Sequence, residues 1–103
     1  MKSLKKLPPV HPGEVLCEEF MKPLGLTSYA VAKGLGVQPI TISLLLRGRR
    51  NVSAEMALRL GRYTGTTPQF WLNLQTHHDL DVALDEMEMR IAREVKPLAL
   101  AAA

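Results

Sequence analysis

Apolar residues recur along most of this chain in steps of three and four, and no stretch alternates apolar with polar at period two, a pattern that predicts an all-α fold. The clearest stripe runs from Ser28 to Leu45 (SYAVAKGLGVQPITISLL), where Val31 and Leu35 stand four apart and Ile42 and Leu45 three apart. Two short amphipathic helices facing each other over one small core have this spacing. Ala32 is small where the helices cross, Gly36 can take the positive φ of a tight turn, and Val37 covers the corner. Pro39 stands where a first helical turn tolerates proline. This is the spacing expected of a helix-turn-helix, whose second helix would lie in the major groove of DNA, although any two amphipathic helices joined by Leu-Gly-Val share the apolar positions.

The flanking segments carry weaker periodicity and clear punctuation. Gly13 to Met21 places Val15, Leu16, Glu19 and Phe20 at helical spacing, closed by Pro23 and Gly25. Thr27 is positioned to cap the helix that follows, and Ser53 to cap another, in which Met56, Leu60 and Tyr63 form a stripe ended by Gly65. Thr67 and Pro68 open a fifth helix around Phe70, Trp71, Leu72 and Leu74. From Asp79, the positions Leu80, Leu84, Met87, Ile91 and Val95 predict a sixth that Pro97 ends. The expected organisation is a mobile basic arm over 1–12, a helix-turn-helix domain over 13–80, a C-terminal helix over 81–96 and a tail over 97–103.

Length and composition narrow the class without naming the chemistry. At 103 residues, 47% hydrophobic and 22% charged, the chain is one globular domain. Its net charge of +3 is unevenly spread: residues 1–50 hold eight Lys or Arg against three Glu, and residues 51–103 hold five against seven acids. The basic half contains the helix-turn-helix, with Arg47, Arg49 and Arg50 directly after its second helix, as a nucleic-acid footprint requires. Cys17 is the only cysteine, which excludes an internal disulfide and points to a reducing compartment. No apolar run is long enough to cross a bilayer, and prolines follow the N-terminal lysines where a signal peptide has its apolar stretch, so the expected location is the cytoplasm.

Nothing in the pattern favours an enzyme. His77 and His78 are adjacent, about 100 degrees apart on a helix, and do not converge on one metal ion or one proton. Cys17 has Glu18 and Glu19 beside it, the wrong neighbours for an activated thiolate. No metal or other cofactor is expected.

Several blocks taken together resemble the HigA family, the antitoxins of HigBA toxin–antitoxin modules within the larger Xre/Cro-like group. They are HPGEVLCEEFMKPLGLT at 11–27, the helix-turn-helix, SAEMALRLGRYTGTTPQFWLNLQ at 53–75, and His78-Asp79-Leu80. The resemblance implies a five-helix, lambda-repressor-like core, a homodimer, binding to a palindromic operator of its own operon, and neutralisation of a HigB-type mRNA endonuclease. It also implies base-reading positions Gln38, Pro39, Ile40, Thr41, Ser43 and Leu44, and a phosphate contact at Ser28. Lys33, Arg47, Arg49 and Arg50 are the phosphate-binding cations that charge and position suggest. Relatives usually carry Arg, Asn, Glu or Gln on the reading surface, whereas this chain has Ile40 and Leu44 four apart. Two readings follow: contact with thymine methyl groups, or burial in the core or against a protein. Candidate dimer or toxin contacts are Phe70, Leu74, Leu84, Met87 and Ile91, with Trp71 assigned to the core. The alternatives are a stand-alone regulator of the same fold without a toxin, and a scaffold whose apolar second helix binds protein alone.

Overall fold

A computed structural model describes residues 9–99, and among these there are five helices and no strand. Helix α1 spans residues 12–24, α2 is Ser28–Leu35, α3 is Pro39–Leu46, α4 is Ala54–Thr64 and α5 is Pro68–Glu94. The three expected caps are all made. Thr27 Oγ1 accepts from Ala30 N–H, Ser53 Oγ from Met56 N–H and Thr67 Oγ1 from Phe70 N–H, each using one of the free donors of a helix start.

Helix α1 is not uniform. It begins as an α-helix over Pro12–Val15, widens to a π-helix over Leu16–Met21, and finishes at Lys22–Leu24. Pro23 accounts for the widening: it has no N–H to donate, and its ring crowds the carbonyl of the preceding turn. The Lys22 N–H accordingly reaches back to the Cys17 carbonyl. The start of this helix is held by His11, whose Nδ1 accepts from Gly13 N–H at 2.9 Å. His11 and Pro12 are both buried, so the domain begins before Gly13. The rest of the expected arm, residues 1–8, lies outside the described residues, as do residues 100–103 of the tail.

The two helices expected on either side of His77 and His78 are one. Helix α5 runs unbroken for 27 residues, and the segment expected as a separate C-terminal helix is its distal part. No proline or glycine interrupts it, and its polar middle is drawn in by neighbours: Gln75 is buried and His78 half-buried. Past Val82 and Ala83 its residues are exposed apart from Met87, so the helix leaves the domain and draws the molecule out to 55 Å.

The core is one cluster in which Leu16, Val31, Ile42, Leu45, Leu60 and Trp71 are almost wholly buried. Trp71 has no exposed surface, and its indole N–H donates to Thr66 Oγ1 at 2.8 Å, satisfying the polar edge of the ring. Arg59 of α4 ties the helix pair to the rest of the domain. Its guanidinium donates to the Leu35 carbonyl at the end of α2 and pairs with Glu55 on its own helix.

Candidate nucleic-acid interface

The turn between α2 and α3 is built as the spacing predicts. Gly36 adopts φ +74°, the Val37 N–H returns to the Ala32 carbonyl and the Gly36 N–H to that of Lys33. This Schellman arrangement consumes carbonyls that the helix end would leave bare. The chain then turns through 118° into α3. Val31, Ala32 and Leu35 on one side, and Ile42 and Leu45 on the other, are buried together.

With Ile42 and Leu45 facing inward, helical geometry dictates what faces out. Ile40 and Leu44 project from the opposite side of α3. Ile40 is 60% exposed and Leu44 half-buried, so Ile40 belongs to the surface and neither joins the cluster of buried core residues. Gln38 precedes the helix, makes no side-chain capping bond and is exposed, as is Pro39. Thr41 and Ser43 are half-exposed on the flanks. The six predicted reading positions therefore share one continuous, solvent-facing strip, apolar along its middle and polar at its edges.

A cationic segment follows at once. Gly48 takes φ +73°, the Arg49 N–H bonds the Leu44 carbonyl and the Gly48 N–H that of Leu45. This second Schellman turn ends α3 sharply and leaves Arg47, Arg49 and Arg50 exposed beside it. Ser28 stands half-exposed at the first position of α2, where unpaired N–H groups and the helix dipole favour an anion. Lys33 is also exposed, but it leaves α2 about 140° around the axis from Ser28, so the two cannot meet the same phosphate.

Two buried polar residues near this loop escaped sequence reasoning. Gln75 of α5 accepts from Val52 N–H at 2.7 Å, and its amide nitrogen donates to Asn51 Oδ1 at 3.2 Å and Asp79 Oδ1 at 2.9 Å. His11 packs edge-on against His78, ring centres 5.0 Å apart, and its ring lies near enough to Gly48 that a β-carbon there would touch it. Burial, then the neighbouring His78, lowers the His11 pKa, against smaller opposing effects of Asp79 and the Arg50 backbone. His77 is exposed, and among the described residues no cluster of His, Cys, Asp or Glu has the geometry to hold a metal ion.

The candidate partner residues fall into two groups. Phe70, 38% exposed, stands edge-on to Trp71, and Leu74 is half-buried against the core, so both are partly used within the monomer. Leu84 and Ile91, 39% and 45% exposed, lie on the projecting part of α5 with half-buried Met87 between them. Their steps of three and four put them on a single stripe. No helix among the described residues is by itself long and apolar enough to cross a membrane.

Residues 18–71 match the helix-turn-helix family model. The chain is 49% identical to virulence-associated protein I of Dichelobacter nodosus over 78 residues, covering 76% of this chain and 72% of that one. It is 41% identical to antitoxin HigA-1 of Vibrio cholerae over 90 residues, covering 87% of this chain and 84% of that protein. Among solved structures it is similar to antitoxin GraA in complex with its operator, with a TM-score of 0.85, 46% identity, and coverage of 95% of this chain and all of that one.

Proposed function

The chain belongs to the HigA family of helix-turn-helix antitoxins, and from that membership we propose that it binds the operator of its own operon as a homodimer and neutralises a HigB-type mRNA endonuclease. The observation that carries the DNA reading is the outward strip of α3, Gln38 to Leu44, ending in an exposed cluster of three arginines. The arginines supply sequence-independent attraction to phosphates, and Ser28 adds a neutral contact. Gln38, Thr41 and Ser43 supply hydrogen bonds to base edges, and Ile40 and Leu44 offer apolar contact to thymine methyl groups. The similar antitoxin GraA is solved in complex with its operator, which supports the DNA reading here.

One such helix makes few base contacts, and a two-fold pair places two of them about one DNA turn apart. The stripe Leu84, Met87 and Ile91, with Phe70 and Leu74 nearer the domain, is the surface assigned to the second copy or to the toxin. In this reading the helix-turn-helix domain holds DNA, the apolar stripe of α5 holds a protein partner, and the chain works in the cytoplasm as a binding protein without catalytic chemistry of its own.

The test is a fluorescence anisotropy titration of the protein into a labelled duplex of its own promoter, run beside a scrambled duplex of equal length. Selective binding at two protomers per site supports the reading, and equal affinity for both duplexes overturns it. Co-expression with the neighbouring reading frame, if that encodes a small basic protein, tests the toxin part by co-purification.

A further inference from the structure

The exposed arginines sit on a loop, and a loop positions a charge only as well as it is itself held. Between α3 and α4 the backbone over residues 47–53 has no regular structure apart from the Schellman turn at its start. Its far end is fixed from another element. Gln75, 5% exposed on α5, presents its amide oxygen to the Val52 N–H; since an N–H can only donate, this contact also sets which way the amide faces. The amide nitrogen then has two hydrogens and two acceptors, Asn51 Oδ1 on the loop and Asp79 Oδ1 one turn along α5. Every donor of a buried amide is used, and two of its three bonds go to the loop.

We propose that Gln75 is a positioning residue for operator binding: from the partner-bearing helix it fixes the loop that aims Arg49 and Arg50 at the phosphate backbone. Gln75 touches no DNA in this scheme. It converts the rigidity of a long helix into a fixed placement for two cations that would otherwise each lose conformational freedom on binding. Asp79 holds the donor end of the amide. His78, beside it, packs against His11, so the same stretch of α5 grips the loop at Val52 and the α1 cap near Gly48. This inference rests on the DNA reading of the α3 face, and its test separates the two.

The test uses the full chain, a duplex of its own promoter, and titrations across a range of salt concentrations. Gln75→Met removes all three hydrogen bonds at similar volume. Gln75→Glu keeps an acceptor for Val52 while losing the bonds to Asn51 and Asp79, and so remains available if the methionine variant does not fold. Both are expected to bind about tenfold more weakly, a coupling ordinary for residues sharing one network. They should also flatten the salt dependence by roughly one phosphate equivalent. In a background of Arg49→Ala with Arg50→Ala, the Gln75 changes should cost nothing further. General destabilisation would instead lower the active fraction, leave the salt slope unchanged and persist in that background, and that result overturns the proposal. If the parent does not distinguish its promoter from a scrambled duplex, the DNA reading fails; if it does, but the double arginine variant binds as the parent does or the Gln75 variants do not weaken binding, only the positioning role fails. Amide exchange of the unaltered protein supplies an independent check: slow exchange at Val52 is expected, and exchange as fast as at Arg49 or Arg50 overturns the proposed anchor.

Discussion

Gly13 presses its α-carbon against the carbonyl oxygen of Leu45, in the last turn of α3, leaving no space for a β-carbon between the two backbones. The first turn of α1 is thus the backstop of α3. Gly13→Ala must push α3 outward or break the contact, and overpacking at such sites costs about 1–3 kcal/mol. Urea denaturation should show a lower midpoint with an unchanged slope. Operator affinity should fall further than the loss of folded protein explains, because α3 is the element displaced.

A second consequence of the same corner is a pH dependence of stability. His11 Nδ1 accepts the Gly13 N–H, which only an unprotonated nitrogen can do, and burial followed by the nearby His78 lowers the His11 pKa. A histidine whose folded pKa lies below its unfolded value of about 6.5 binds fewer protons folded than unfolded. Its contribution is therefore complete above that pH and is lost as pH falls from there through the folded value. His11→Asn keeps a capping oxygen without titrating in this range. Urea midpoints at pH 7.5 and 5.5 should differ more for the parent than for the variant; an equal difference would remove His11 as the cause.

Much of this was legible in the chain, for a physical reason. Thr27, Ser53 and Thr67 cap within three residues of themselves, and the Gly36 turn is closed by bonds spanning five residues or fewer, so local sequence contains both partners. The reading positions on α3 were implied by the family resemblance, whereas the inward packing of Ile42 and Leu45 followed from their spacing. What was hidden depends on partners far along the chain. His11 reads as part of a basic arm until it meets His78, and nothing local marks Gln75 as the partner of Val52, 23 residues away. The break expected before Asp79 is absent, and within that polar stretch Gln75 and His78 meet partners on other elements. The π-helical turn follows from Pro23, which sequence reading took only as a stop signal.

The cations and the reading residues should separate in solution. Arg49→Ala combined with Arg50→Ala is expected to weaken binding to all duplexes alike and to flatten the salt slope by roughly two phosphate equivalents, since both side chains are exposed and free to meet the backbone. Gln38→Ala should leave non-specific binding intact and narrow the gap between operator and scrambled duplex, because an exposed amide with no capping duty is available for base edges. Anisotropy titrations on both duplexes check each part, and the reverse pattern would exchange the two roles.

The projecting end of α5 offers the last test, because its apolar stripe contributes little to the fold of the monomer. Leu84 and Ile91 are exposed, whereas Trp71, the only tryptophan, is fully buried on the same helix well inside the domain. Leu84→Glu with Ile91→Glu should therefore leave the buried-indole emission of Trp71 and the helical signal nearly unchanged while converting a dimer to a monomer in light scattering. Operator affinity should then become steeply dependent on protein concentration, since each protomer must find its half-site separately. A double variant that remains dimeric would move the self-contact toward Phe70 and Leu74 and leave the distal stripe to the toxin. If both self-association and toxin capture survive, the stripe has no partner role.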